Sequence, residues 1–109
     1  MYADVFDAIA HPGRRLILER LRDHEQPVHA LADQFEMSRP AVSQHLRVLL
    51  EAGLVRERRA GRRRLYRLEP TRLAEVHGWV TQFEQFWQAR LGALGRFLEE
   101  NPEAPEAGA

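Results

Sequence analysis

Apolar side chains recur every three or four positions through the first fifty residues, the period of helices that bury one stripe. Tyr2, Val5, Phe6 and Ile9 mark a first helix over residues 1–10, which His11-Pro12-Gly13 breaks. Proline suits a first helical turn, so a second helix starts at Pro12 and ends near His24. It turns Leu16, Ile17 and Leu21 inward and Arg14, Arg15, Glu19 and Arg20 outward. Beyond Gln26-Pro27, the spacing of Val28, Leu31, Ala32 and Phe35 predicts a two-turn helix over residues 28–35. A tight break at Glu36-Met37 leads to Ser38, whose hydroxyl suits the cap of a fourth helix. Arg39 and Pro40 fall in its first turn, Val42, Leu46, Leu49 and Leu50 face inward, and Gly53 closes it as a left-handed cap.

The period then changes. Residues 54–59 (LVRERR) and 64–69 (RLYRLE) flank Ala60-Gly61-Arg62-Arg63, which predicts a β-hairpin around a glycine-containing turn. Leu65 and Arg67 alternate with Tyr66 and Leu68, so only part of the ribbon has an apolar face to pack. From residue 71 to about 100 no proline intervenes, and Leu73, Val76, Val80, Phe83, Trp87, Leu94 and Phe97 predict one long amphipathic helix. At a rise of ~1.5 Å per residue it reaches about 45 Å, longer than a domain of this size is wide. Residues 101–109, with Pro102, Pro105 and small side chains, are expected to form a disordered tail. The expected fold is therefore mainly α with a small β-hairpin: five helices and a two-stranded ribbon in one domain over residues 1–100.

Net charge is zero, 16 basic against 16 acidic residues, and every basic residue is arginine. The distribution is uneven. Residues 1–37 carry four Arg and seven acids (net −3), residues 38–68 nine Arg and two acids (net +7), and residues 69–109 three Arg and seven acids (net −4). A basic block of this density is an electrostatic footprint for a polyanion. The chain has no cysteine, which excludes disulfides, thiolate metal sites and cysteine catalysis and fits a reducing compartment. With no apolar run long enough to span a bilayer and no signal-peptide core, the expected location is the cytoplasm.

Residues 28–52 read as helix, tight turn, helix, and the second helix opens with short or polar outward side chains. A helix that reads DNA needs this, so that its backbone approaches the major groove and donors and acceptors reach base edges. Ser38, Arg39, Pro40, Ala41, Ser43, Gln44 and Arg47 satisfy the requirement, and the helix N-terminus itself favours a phosphate. Beside it, the hairpin carries Arg58, Arg59, Arg62, Arg63, Arg64 and Arg67, suited to phosphate and minor-groove shape. Arg59, Arg62, Arg63, Arg64 and Tyr66 complete the predicted DNA contacts. The plainer alternative is a capped helix and a solubilising hairpin.

The run Ser38-Arg39-Pro40-Ala41-Val42-Ser43-Gln44-His45-Leu46-Arg47-Val48-Leu49, then Glu51-Ala52-Gly53-Leu54-Val55 and Arg62-Arg63-Arg64-Leu65-Tyr66-Arg67-Leu68, resembles the ArsR-type winged-helix repressors. The resemblance spans roughly residues 4–98. It implies a bacterial or archaeal homodimeric regulator that sits on an operator, usually as a repressor, and leaves when a signal binds. Residues 78–91 are similar to a subgroup often encoded beside a START-like, Hsp90-activator-related protein.

Two departures bear on the signal. The family's Cys-Val-Cys metal motif corresponds to Pro27-Val28-His29, which removes arsenic sensing. A second metal pattern is half present in Glu75-Val76-His77, but its partner positions hold Gln88 and Leu91, so the expectation is no metal and no cofactor. A repressor using His and Glu ligands remains an alternative, as does an unidentified small-molecule effector.

Trp79, Phe83, Phe86 and Trp87 exceed what one small body covers, which predicts a homodimer. Its expected interface comprises Tyr2, Val5, Phe6, Ile9, Val76, Trp79, Val80, Phe83, Phe86, Trp87 and Leu94. The rival uses for these rings are a ligand pocket or a docking face for a partner protein. With no thiol, no phosphate-binding glycine loop and no paired His and carboxylate beyond Glu75-Val76-His77, the sequence does not read as an enzyme.

Overall fold

Local caps fix the helix boundaries. The computed structural model describes residues 4–100, with side chains to residue 92. It divides into two units, residues 1–76 and residues 77–109. Tyr2, the side chain of Leu94 and the 101–109 tail lie outside the described parts.

In the first unit, α1 (Val5–Ala10) is capped by Asp4, whose carboxylate accepts from the Phe6 N–H at 2.8 Å. His11 caps α2 (Pro12–Asp23), its Nδ1 accepting from the Gly13 N–H at 2.9 Å. Arg14 and Arg15 are placed by sequence on an outer face, but they turn back to the open carbonyls of α1: Arg14 Nε donates to Ala8 O at 2.6 Å and Arg15 Nη1 to Ile9 O at 2.7 Å.

The core is built from Val5, Ile17, Leu21, Leu31, Val42, Leu46, Leu49, Leu54 and Val55, with Tyr66 from the sheet. Leu16, expected inside, is 42% exposed, and Leu18 takes a buried place instead. The predicted two-turn helix is α3 (Val28–Asp33), and α4 (Arg39–Glu51) follows Ser38.

The hairpin is β2 (Val55–Ala60) and β3 (Arg63–Leu68), antiparallel, with Ala60 opposite Arg63. Gly61 has φ +64° and Arg62 does not share the positive φ, the pattern of a two-residue type II′ turn that matches strand twist. The ribbon has three strands rather than two, because β1 (Gln26–Pro27) pairs with β3 through Gln26 opposite Tyr66. Gln26 is buried; its amide donates to Arg20 O at 3.1 Å and its Oε1 accepts from the Gln34 amide. One polar side chain thus joins α2, β1 and the turn after α3.

The long helix expected over residues 71–100 is two: α5 (Leu73–Thr81), which begins in the first unit, and α6 (Glu84–Glu100). The break has a local cause. Thr81 Oγ1 donates to Gly78 O at 2.9 Å, the carbonyl that the Gln82 N–H would use in an α-helix. Gln82 and Phe83 bond instead to Trp79 O and Val80 O, the tighter i to i−3 pattern, before α6 begins. The described residues therefore form six helices rather than the five expected. No described helix is long and apolar enough to cross a membrane.

Candidate nucleic-acid interface

The order of α3, turn and α4 presents the outward face of α4 to solvent. Val42, Leu46 and Leu49 are buried at helical spacing, which leaves Ser38, Arg39, Pro40, Ser43, Gln44 and Arg47 exposed and Ala41 half-buried. Ser38 Oγ accepts from the Ala41 N–H at 3.2 Å, fixing the first turn. Arg39 and Arg47 make no ion pair with any described residue. The end of α4 is fixed as firmly: Gly53 (φ +74°) donates to Leu50 O at 3.0 Å and Leu54 to Leu49 O at 2.9 Å. These two bonds make a Schellman cap, with Leu49 and Leu54 both buried beneath it. Arg72 Nη1 adds a bond to Ala52 O at 2.6 Å.

The hairpin's arginines divide into tethered and open ones. Strand pairing puts Arg56 opposite Arg67 and Arg59 opposite Arg64, like charges that repel across a sheet. Several are offset. Arg56 pairs with Glu69 at 2.8 Å, Arg58 with Glu25 through both carboxylate oxygens, and Arg64 lies 3.9 Å from Glu57. The hydrogen bond from Arg58 holds the Glu25 carboxyl below its ordinary value, and the Thr71 hydroxyl with Arg56 does the same for Glu69. Arg59 and Arg62 have no ion-pair partner among the described residues. Arg63 Nη2 sits 3.5 Å from His29 Nε2 on α3. Neither the Arg58 tether nor the His29 approach leaves a local signal, since each joins residues more than thirty positions apart.

Two expected surface residues are corrected. Tyr66 is 8% exposed and belongs to the core, and burial together with the Glu57 charge raises its hydroxyl's pKa. Val5, expected at a subunit interface, is fully buried within its own unit. Ile9 and Val76 are half-buried against the same core, while Phe6 is 38% exposed. In the second unit Trp79, Phe83, Phe86 and Trp87 are exposed, Val80 is half-buried, and Trp79 and Phe83 meet edge to face at 5.1 Å. Among the described residues no three His, Cys, Asp or Glu side chains are grouped to hold a metal ion.

His45, on α4, stacks obliquely on His11 with ring centroids 4.5 Å apart. Burial first, and then the His11 and Arg14 charges, lower its pKa.

Known proteins share this arrangement. Residues 11–57 match the family model described as bacterial regulatory protein, arsR family. An HTH-type transcriptional regulator of Mycobacterium tuberculosis is 43% identical over 94 residues, covering 86% of this chain and 85% of that protein. The crystal structure of a "possible transcriptional regulator for arsenical resistance" superposes with a TM-score of 0.66 at 43% identity, over 94% of this chain and 98% of that one. The homodimeric winged helix-turn-helix DNA-binding domain of a Mycobacterium bovis protein superposes with a TM-score of 0.59 at 32% identity, over 72% and 73%. The sequence, the helix-turn-helix with its basic hairpin and these relatives together place the chain in the arsR family of bacterial transcriptional regulators, a family of DNA-binding proteins rather than enzymes.

Proposed function

We propose that the chain is a homodimeric repressor that binds a palindromic operator. In this reading each α4 enters a major groove, the two about 34 Å apart, while each hairpin lies on the flanking backbone. The observation that carries it is the exposed face of α4, where Arg39, Ser43, Gln44 and Arg47 stand free above a fully apolar inner stripe. Arg39 and Gln44 have the donor and acceptor pattern for base edges, and Arg47 reaches backbone. A second copy would cover the exposed rings of residues 79–87, with Phe6 of the first helix also contributing; the homodimeric Mycobacterium bovis relative supports this. Release is assigned to a signal that needs no thiolate.

The test combines sedimentation with base-by-base substitution of the bound duplex. Arg39→Ala and Gln44→Ala should relax discrimination at one or two base pairs, about 1–3 kcal/mol each. Arg62→Ala and Arg59→Ala should weaken every duplex alike. Uniform losses from all four variants, or a monomer at micromolar concentration, would refute the assignment.

A further inference from the structure

Of the concave surfaces beside the hairpin, two lie against α3 or α4, and their charges differ. The larger, about 590 Å³, lies against the end of α4 and is lined by Arg56, Glu57, Arg58 and Arg67. Two of its three arginines are already neutralised, Arg56 by Glu69 and Arg58 by Glu25, and Glu57 adds a negative charge to the wall. The smaller, about 290 Å³, gathers residues from three elements: His29 from α3, Arg39 from the first turn of α4, and Arg62, Arg63 and Arg64 from the hairpin tip. Among the described residues no acidic side chain lines it. Neither Arg39 nor Arg62 has an ion-pair partner among the described residues, the partner of Arg63 is the His29 ring, and Arg64 lies at the limit of reach of Glu57. Three arginines of the hairpin tip line one hollow beside the start of α4 and repel one another until an anion arrives, and oxygen anions fit the fork of a guanidinium.

We propose that this hollow seats one backbone phosphate of the bound duplex, and that His29 is part of the seat. The inference rests on the DNA-binding reading and goes beyond it by making the hollow one phosphate site rather than a diffuse basic face. His29 acts as a positioning residue. Its Nε2, 3.5 Å from Arg63 Nη2, accepts from that guanidinium and holds it beside the hollow. The seat links the first turn of α4 to the hairpin tip, so one phosphate would fix the angle between the element that reads bases and the element that follows the backbone. A free polyphosphate shares the same chemistry and is the competing occupant.

The test measures binding by fluorescence anisotropy at pH 8 across a salt series, on an upstream duplex and on a scrambled one. It compares the wild-type protein with His29→Ala, Arg63→Ala, the double variant and His29→Gln. Removing one phosphate contact lowers the salt slope by about one, so Arg63→Ala should weaken both duplexes by about fivefold and flatten the slope. His29→Ala should weaken both in the same direction, the double variant should lose little more than Arg63→Ala alone, and His29→Gln, which keeps an acceptor at the same reach, should restore most of the affinity. Melting temperatures report any loss of folding, and the Gln rescue separates positioning from bulk stability.

Wild-type affinity retained by His29→Ala, or a double loss equal to the product of the single losses, would overturn the seat. Tripolyphosphate bound by the wild type but not by Arg63→Ala, with both duplexes insensitive to the variants, would assign the hollow to a free anion instead. Equal wild-type affinity for the two duplexes would count against the regulator reading, whereas the seat would still be read from the scrambled duplex, because every phosphate is alike.

Discussion

Gly53 is where the recognition helix must turn into the hairpin, and replacing it with alanine separates two physical costs. An L side chain at φ +74° is strained by about 1 kcal/mol, the lower end for a single left-handed residue. The added Cβ would also stand 3.1 Å from Arg72 Cδ, closer than it can comfortably remain. Arg72 must then give by a few tenths of an ångström, which strains its 2.6 Å bond to the Ala52 carbonyl. A charge-assisted bond of this kind contributes roughly 1.5–3 kcal/mol when buried, and the low end applies to a side chain 24% exposed. Backbone strain and a weakened bond together make Gly53→Ala cost about 1.5–2.5 kcal/mol, or a fall of roughly 6–20 °C in melting temperature.

Gly61→Ala supplies the control. Its φ is +64° and an added Cβ meets nothing within 4 Å, so only the backbone cost of a glycine-favouring turn position should appear, with no dependence on Arg72. Thermal unfolding by circular dichroism measures both. Arg72→Ala should add less to Gly53→Ala than it costs the native chain, because the first substitution has already weakened the bond that the second removes. Full additivity of Gly53→Ala with Arg72→Ala would refute the reasoning, whereas Gly61→Ala and Arg72→Ala should be additive.

Two further predictions concern protons. His45 has a folded pKa below the ordinary 6.5, so its contribution is present above pH 6.5 and lost as pH falls through the folded value, because the unfolded chain takes up the proton first. His45→Gln, measured by chemical denaturation, should flatten the decline in stability below pH 6.5; an unchanged profile would contradict the burial argument. Glu25 also titrates below its ordinary 4.5, so the Arg58 tether is intact above pH 4.5 and is lost as pH falls below it. Glu25→Gln should lower the melting temperature at neutral pH and leave the value in acid little changed, which shrinks the acid-side loss, and an equal shift at both pH values would show that the tether carries no proton linkage.

Much of the first unit was legible because its signals are local. Ser38, Pro12, Gly53 and Gly61 each act on the backbone within a few residues, so the starts and stops of α2, α4 and the hairpin are placed nearly where the sequence puts them. The outward face of α4 was equally readable, since helical spacing alone decides which side Arg39 and Gln44 occupy. What escaped was long-range or competitive. β1 is two residues, one of them proline, too short to leave a pattern, and it exists because β3 offers it an edge. The break in the last helix turned on which donor, Thr81 Oγ1 or the Gln82 N–H, takes the Gly78 carbonyl, a contest that apolar periodicity does not register. Nor could net charge distinguish Arg58, held by Glu25, from Arg62, which is open.

The central claim is that the exposed face of α4 reads a particular sequence while the hairpin holds the backbone. Anisotropy of the purified protein on duplexes tiled across the upstream region of its own gene, with a scrambled control near 150 mM salt, tests it most directly. The account predicts one tile bound at least about 10³-fold more tightly than the control, with that advantage sharply reduced by Arg39→Ala and Gln44→Ala. Equal binding to every tile, unchanged by either substitution, would contradict it and leave α4 without a reading role.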